Sequence, residues 1–211
     1  MGIHLSKNKR NNHMKIIVIG ASGTIGKHVV NALAEGNEII KVGSKSGDYQ
    51  VNIADAASIK NLFEQVGPFD ALVSTTGDAY FGPFKDMTEA NMRVGIDSKL
   101  MGQVNLVLIG QHYINPKGSF TLTSGSLADD PVPMAAAAGT ANGALDSFAR
   151  GAAIELVNGV RINTVAPGVV EESPAYFPYF KGHIPVNMHR VAQAYVKSVL
   201  GAQTGQVYKV L

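Results

Sequence analysis

The segment Gly20-Ala-Ser-Gly23-Thr-Ile-Gly26 narrows the possible folds most, because of what stands on either side of it. Before it, Lys15 to Ile19 is a short β-rich apolar run, too brief for a buried helix. After it, Ile25, Val29, Val30 and Leu33 fall at helical spacing, and Gly36 supplies a stop. At such a turn one glycine lets the backbone reverse and a second lets it approach an anion. A third lets helix and strand pack closely. The helix start adds free N–H groups and positive potential. Glycines alone mark only a tight βα turn. With a strand before and a helix after, the turn predicts a phosphate site at Gly20, Ser22, Gly23, Thr24, Ile25 and Gly26.

The alternation continues along the chain. Strands are predicted at Glu38 to Val42, Ala71 to Ser74, Ser119 to Thr123, Val160 to Val165 and Gln206 to Val210. Between them come helices at Ala56 to Val66, Thr88 to about Tyr113, about Met134 to Leu156, and Met188 to Leu200. Strands separated by helices imply right-handed crossovers. The expected fold is therefore a single α/β domain over 14–211, a Rossmann-type doubly wound parallel sheet of about seven strands with helices on both faces. The second strand runs into Gly43-Ser44-Lys45-Ser46 without the acid that would accept from a ribose hydroxyl and repel a 2′-phosphate. Ser44 and Lys45 therefore favour NADP(H) over NAD(H), although a solvated turn lysine is the plainer reading of Lys45.

Composition excludes several classes. The chain has 211 residues and no cysteine, so disulfides, thiolate metal ligands and a cysteine nucleophile are all absent. A reducing, cytoplasmic setting is the expectation. The first thirteen residues carry Lys7, Lys9 and Arg10 but no acid, and read as a disordered basic extension rather than a secretory signal. Without those three bases, fifteen basic residues face sixteen acidic ones, a balance that argues against a nucleic-acid partner. No apolar run has the roughly 18 residues that a membrane span needs. His112 and His183 lack partners at ligand spacing, so no metal is expected.

Several further segments resemble the short-chain dehydrogenase/reductase family from Met14 onward. The spacing of Gly20, Gly23 and Gly26 is a variant of its nucleotide turn, and Ser74-Thr-Thr-Gly77 stands where that family has Asn-Asn-Ala-Gly. Gly118-Ser-Phe-Thr-Leu-Thr-Ser124 is similar to its serine-bearing strand, Arg161-Ile-Asn-Thr-Val-Ala-Pro-Gly168 to its sixth strand, and Thr204-Gly-Gln-Val207 to its closing strand. The resemblance implies a nicotinamide cofactor whose remaining contacts come from Asn52, Ile53, Thr75, Thr76, Gly77, Pro167, Gly168 and Val169. It also implies hydride transfer to or from a small carbonyl or alcohol. In the family a tyrosine passes the proton, a lysine four residues later lowers its pKa, and a serine holds the substrate oxygen.

The chain departs from that pattern at its centre. The tyrosine position holds Ala138 and the lysine position Asn142. In the preceding helix, Asp97-Ser-Lys99-Leu-Met-Gly102 places Lys99 where many members carry an asparagine, so lysine and asparagine have traded places. In part this is like family members that keep the fold without the usual active-site residues. Ser124, Lys99 and Asn142 are the catalytic candidates, with Tyr80, Tyr176 and Tyr179 as replacement phenols. Two main readings stand open: an oxidoreductase using Lys99 as proton donor, and a catalytically inactive NADP(H)-binding sensor. A structural subunit with a vestigial cleft is a third. The small-residue and apolar helix surfaces also suggest a homodimer or homotetramer, although core packing needs the same pattern.

Overall fold

A computed structural model describes residues 13–211, and the predicted basic extension, His13 apart, lies outside the described residues. Seven parallel strands form one sheet in the order β3-β2-β1-β4-β5-β6-β7. They are β1 (Lys15–Ile19), β2 (Glu38–Gly43), β3 (Tyr49–Gln50), β4 (Phe69–Ser74), β5 (Ile114–Thr123), β6 (Arg161–Pro167) and β7 (Val207–Val210). Order reverses at β1, where the chain leaves for β2 on one side and returns to β4 on the other. That switch opens a crevice at the carboxyl ends of the strands.

Strand alternation divides the core into two layers. Ile17, Ile19, Leu72, Phe120 and Leu122 face α2 (Ala56–Val66), α4 (Met101–Gly110) and α5 (Ala136–Glu155). Ile16, Val18, Ala71, Val73 and Val165 face α1 (Thr24–Leu33) and α6 (Met188–Leu200). Both faces are therefore covered, as the run of apolar residues in each strand required. No described helix is long and apolar enough to cross a membrane.

Two elements differ from the sequence expectation. The two-residue strand β3 extends the sheet edge beyond β2. The single helix expected from Thr88 to about Tyr113 is instead α3 (Glu89–Arg93), a π-helical segment over Val94–Leu100, and then α4. The widened segment lies under the turn after β4. A Cβ on Gly77, at φ +120°, would come within 2.6 Å of the Lys99 Cα, and the Asp78 N–H donates to Ser98 Oγ at 3.0 Å. Such π-helical turns inside α-helices frequently carry functional residues. Lys99 lies on this one.

Candidate active site

The glycine turn is built from main chain. Gly20 has φ +80°, and its N–H donates to the Val42 carbonyl at 2.8 Å, drawing the turn over the end of β2. Gly23 donates back to the Gly20 carbonyl at 3.0 Å. A Cβ on Gly26 would collide with the Gly20 carbonyl oxygen, so only glycine allows this closeness of helix and turn. Thr75 Oγ1 lies 3.0 Å from the Ile19 carbonyl and 3.2 Å from that of Gly20, locking the turn to the end of β4. No side chain caps α1 and no acid stands in its first turn; the Lys27 N–H donates to the Gly23 carbonyl at 3.1 Å, leaving the amides of Thr24, Ile25 and Gly26 for an anion.

Beside this turn runs a groove of about 730 Å³, lined by Gly20, Ser22, Gly23, Ser44, Asn52, Ile53, Thr75, Thr76 and Gly77. These expected cofactor contacts converge, and the cradle with its free amides fits an extended dinucleotide. Lys45 is exposed and does not line the groove; its carbonyl accepts from Gln50 Nε2 at 3.3 Å. A neighbouring hollow of about 340 Å³ is lined instead by Ser22, Lys27, Asn31, Lys41 and Ser46. The turn after β2 folds back there, with the Asp48 N–H donating to the Lys41 carbonyl at 2.7 Å and Ser46 Oγ 3.5 Å from Ser22 Oγ. Lys27 and Lys41 were missed because their convergence depends on that fold-back. Only Lys27, directly after the third glycine, carried a local signal.

Further along the sheet edge lies a cleft of about 330 Å³. Phe81, Leu127, Val169 and Phe180 form apolar walls, Ile25, Pro167 and Gly168 border it, and Lys99, Ser124 and Asn142 all reach it. Ser124 follows β5, fixed by its N–H to the Val165 carbonyl at 3.0 Å. Lys99 Nζ donates to the Ser124 carbonyl at 2.9 Å. Its stem is partly exposed, yet its ammonium is desolvated. Burial lowers the Lys99 pKa from 10.5 to about 8, against the Asp146 carboxylate, which raises it.

Two polar atoms at this floor lack partners. Ser124 Oγ and Asn142 Oδ1 are buried without a hydrogen bond, a state that proteins seldom leave uncorrected without a ligand or water. Asn142 is held close by Gly125, where a Cβ would come within 2.7 Å of Asn142 Nδ2. Ala138, one turn earlier on α5, adds only a methyl to a cluster with Leu127, Val169 and Phe180. Among the candidate phenols, Tyr176 lines the cleft and packs on Phe81 with ring centroids 5.5 Å apart. Tyr179 is exposed and outside the lining, and the Tyr80 ring lies against Gly82.

Two supporting residues escaped the sequence reading. Gln103, one turn after Lys99, donates from Nε2 to the Thr123 carbonyl at 2.9 Å and accepts the Thr123 N–H at 2.8 Å. It thus acts as an added ladder rung where β4 has ended, holding Ser124 in place. Its signal was a lone buried amide in an apolar helix. Behind the same strand, the buried Tyr195 hydroxyl bonds Thr123 Oγ1 at 2.7 Å, and burial pushes that phenol well up. Tyr195 is a scaffold group beneath the floor.

The family model describing the Enoyl-(Acyl carrier protein) reductases matches residues 2–196. The chain belongs to that family, within the short-chain dehydrogenase/reductases. Among solved structures, the protein lin1944 of Listeria innocua is 51% identical, covers 94% of this chain and 100% of its own, and superposes with a TM-score of 0.92. A small-chain dehydrogenase in complex with NADPH is 26% identical over 94% of this chain and 97% of its own, with a TM-score of 0.84. An uncharacterized oxidoreductase of Methylorubrum extorquens is 26% identical across 73% of this chain and 72% of its own length.

Proposed function

We propose that this short-chain dehydrogenase/reductase is an NADP(H)-dependent oxidoreductase acting on a small carbonyl or alcohol, with Lys99 in place of the usual phenol as proton donor. The observation that carries the reading is the Lys99 ammonium fixed on the Ser124 carbonyl beside the unpartnered Ser124 hydroxyl. The glycine cradle and the NADPH-bound relative support the cofactor. Bound there, the nicotinamide would supply or accept the hydride. Ser124 Oγ would hold the substrate oxygen by donating to it. As charge gathers on that oxygen, Lys99 gives up a proton and becomes neutral. With a pKa near 8 it recovers that proton from solvent at neutral pH. Asn142 would orient the substrate or ribose through its free Oδ1, while the apolar walls exclude water and select a compact, largely apolar substrate.

Lys99→Met tests this directly. NADPH oxidation with a panel of small aldehydes and ketones is expected to fall by about a hundredfold or more, while NADPH affinity by nicotinamide fluorescence changes little. Turnover that survives the substitution removes Lys99 from the chemistry. Tight NADPH binding with no turnover in the wild type, across the panel, favours the sensor reading instead.

A further inference from the structure

Three side-chain amides are buried among the described residues: Gln103, Asn142 and Asn163. Two of them spend both polar atoms on the fold. Gln103 bonds the Thr123 N–H and carbonyl, while Asn163 donates to the Gln203 carbonyl at 3.1 Å and accepts the Gln206 N–H at 3.0 Å. Asn142 differs, because its Oδ1 has no partner although the residue is only 2% exposed. Its inward-facing neighbours on α5 include Ala138, Ala141 and Leu145, so an apolar side chain would suit this helix position. A buried amide oxygen left unanswered is costly, and only a hydrogen-bond donor answers it. The other orphan of the cleft, Ser124 Oγ, belongs to the same floor. Gly125, the next residue, packs so closely that a Cβ on it would come within 3.6 Å of Asn142 Oδ1. Ser74 and Ser119 also carry unpartnered buried hydroxyls, but they line neither the cleft nor the groove.

The floor thus offers two complementary halves. Ser124 Oγ and the Lys99 ammonium can donate to an acceptor, and Asn142 Oδ1 can accept from a donor. A simple ketone or aldehyde supplies the acceptor and leaves Asn142 unanswered. The donor must be neutral, because the cleft lining holds an ammonium and no carboxylate. A hydroxyl is the compact group of that kind. We propose that the cleft takes a hydroxy-ketone or hydroxy-aldehyde whose hydroxyl lies one or two carbons from the carbonyl and donates to Asn142 Oδ1. Substrate rather than cofactor is the source of that hydroxyl, since Asn142 lines the cleft and not the groove beside the glycine turn. In the reduction the carbonyl carbon gains the hydride of NADPH and its oxygen gains the Lys99 proton. The products are a diol and NADP⁺, and the second hydroxyl is unchanged. Asn142 is then a specificity-determining residue. An analogue with a methyl in place of the hydroxyl forfeits the bond and also buries the amide oxygen against carbon.

This inference rests on the proposed carbonyl chemistry of the cleft, yet it is tested without turnover. A ketone on protein loaded with NADP⁺ cannot be reduced, so its affinity reports recognition alone. Phenyl ketones suit the aromatic walls formed by Phe81, Tyr176 and Phe180. Ligand-observed NMR titration compares α-hydroxyacetophenone with propiophenone, and β-hydroxypropiophenone with butyrophenone, pairs in which a methyl replaces the hydroxyl. At least one hydroxy-ketone is expected to bind about thirtyfold more tightly than its counterpart. In Asn142→Leu that preference should fall to within about threefold. Wild-type ratios within about threefold for both pairs overturn the proposal, whether or not the variant folds. A preference that persists in folded Asn142→Leu also overturns it. If that variant keeps its preference but loses NADP⁺ affinity, the ribose hydroxyl is what meets Asn142 Oδ1. Absent NADPH oxidation with every carbonyl, beside an intact hydroxy-ketone preference, overturns the reductase reading alone.

Discussion

Around Gly20 to Gly26 the ligand-facing atoms are main-chain amides and carbonyls, whereas around Ser124 they belong to the side chains of Lys99, Ser124 and Asn142. The first region tolerates almost no change, because a collision with backbone cannot be relieved by choosing another rotamer. The second can be rewritten one side chain at a time. An ammonium enters from the helix before β5, an amide occupies the helix after it, and the floor keeps its polar atoms. One sheet edge thus carries a turn fixed by main-chain packing beside a cleft whose chemistry is set by three side chains.

The contrast is broken most severely at Gly26. A methyl there would collide with the Gly20 carbonyl oxygen, so Gly26→Ala must move the turn or the start of α1. NADPH affinity is expected to fall by about a thousandfold, roughly 4 kcal/mol, in fluorescence titration while far-UV circular dichroism stays nearly unchanged. Affinity within tenfold of wild type would show that the groove is not held by the turn as described.

The same contrast explains which features were legible in the sequence. Gly20, Gly23 and Gly26 declare themselves because their backbone conformations and close approaches restrict residue type, and the strands declare themselves by apolar runs bounded by turns. Ser124, Lys99 and Asn142 were found by position relative to a family pattern, and they do meet in one cleft. The π-helical segment over Val94–Leu100 left no trace, since one extra residue in a turn barely alters helical periodicity and its close packing with Gly77 is a contact between distant segments. Asp146 was invisible for a related reason. On α5 it is an acid among alanines, and only the approach of β6 gives it a partner, Thr164. Lys45 was legible as a charge, but where its side chain goes depends on how the turn after β2 folds.

A desolvated ammonium also gives the cleft a pH signature that the glycine groove lacks. In the unfolded chain Lys99 keeps its ordinary value of 10.5, and in the folded protein it falls to about 8. Between those values the unfolded state holds the extra proton, so stability rises as pH rises through the window. Below about pH 8 both states are protonated and the full burial penalty stands. The gain approaches about 3 kcal/mol when summed over the shift. Chemical denaturation of the wild type and of Lys99→Met at several pH values isolates it. The difference between the two proteins should grow from pH 8 to 10.5 in favour of the wild type, whereas Gly26→Ala should leave the slope intact. A constant difference would place the ammonium in solvent.

The smallest effect is expected where the two construction styles meet, at the hollow beside the glycine turn. Ser22 lines both the groove and this hollow, and Lys27 and Lys41 line the hollow, while the exposed Lys45 lines neither. A 2′-phosphate on the adenosine ribose would meet Lys27 and Lys41 as screened, exposed charges, each of which contributes modestly. Lys27→Met should therefore weaken NADPH by roughly fivefold and NADH hardly at all, with the difference shrinking as salt is added. Lys45→Met should change the NADPH-to-NADH ratio by less than about twofold. If Lys45 instead proves the stronger determinant, the local charge in Gly43-Ser44-Lys45-Ser46 governs cofactor choice and the fold-back of that turn does not. If neither lysine matters, discrimination rests with the hydroxyls of Ser22, Ser44 and Ser46, which hydrogen-bond a phosphate without adding charge.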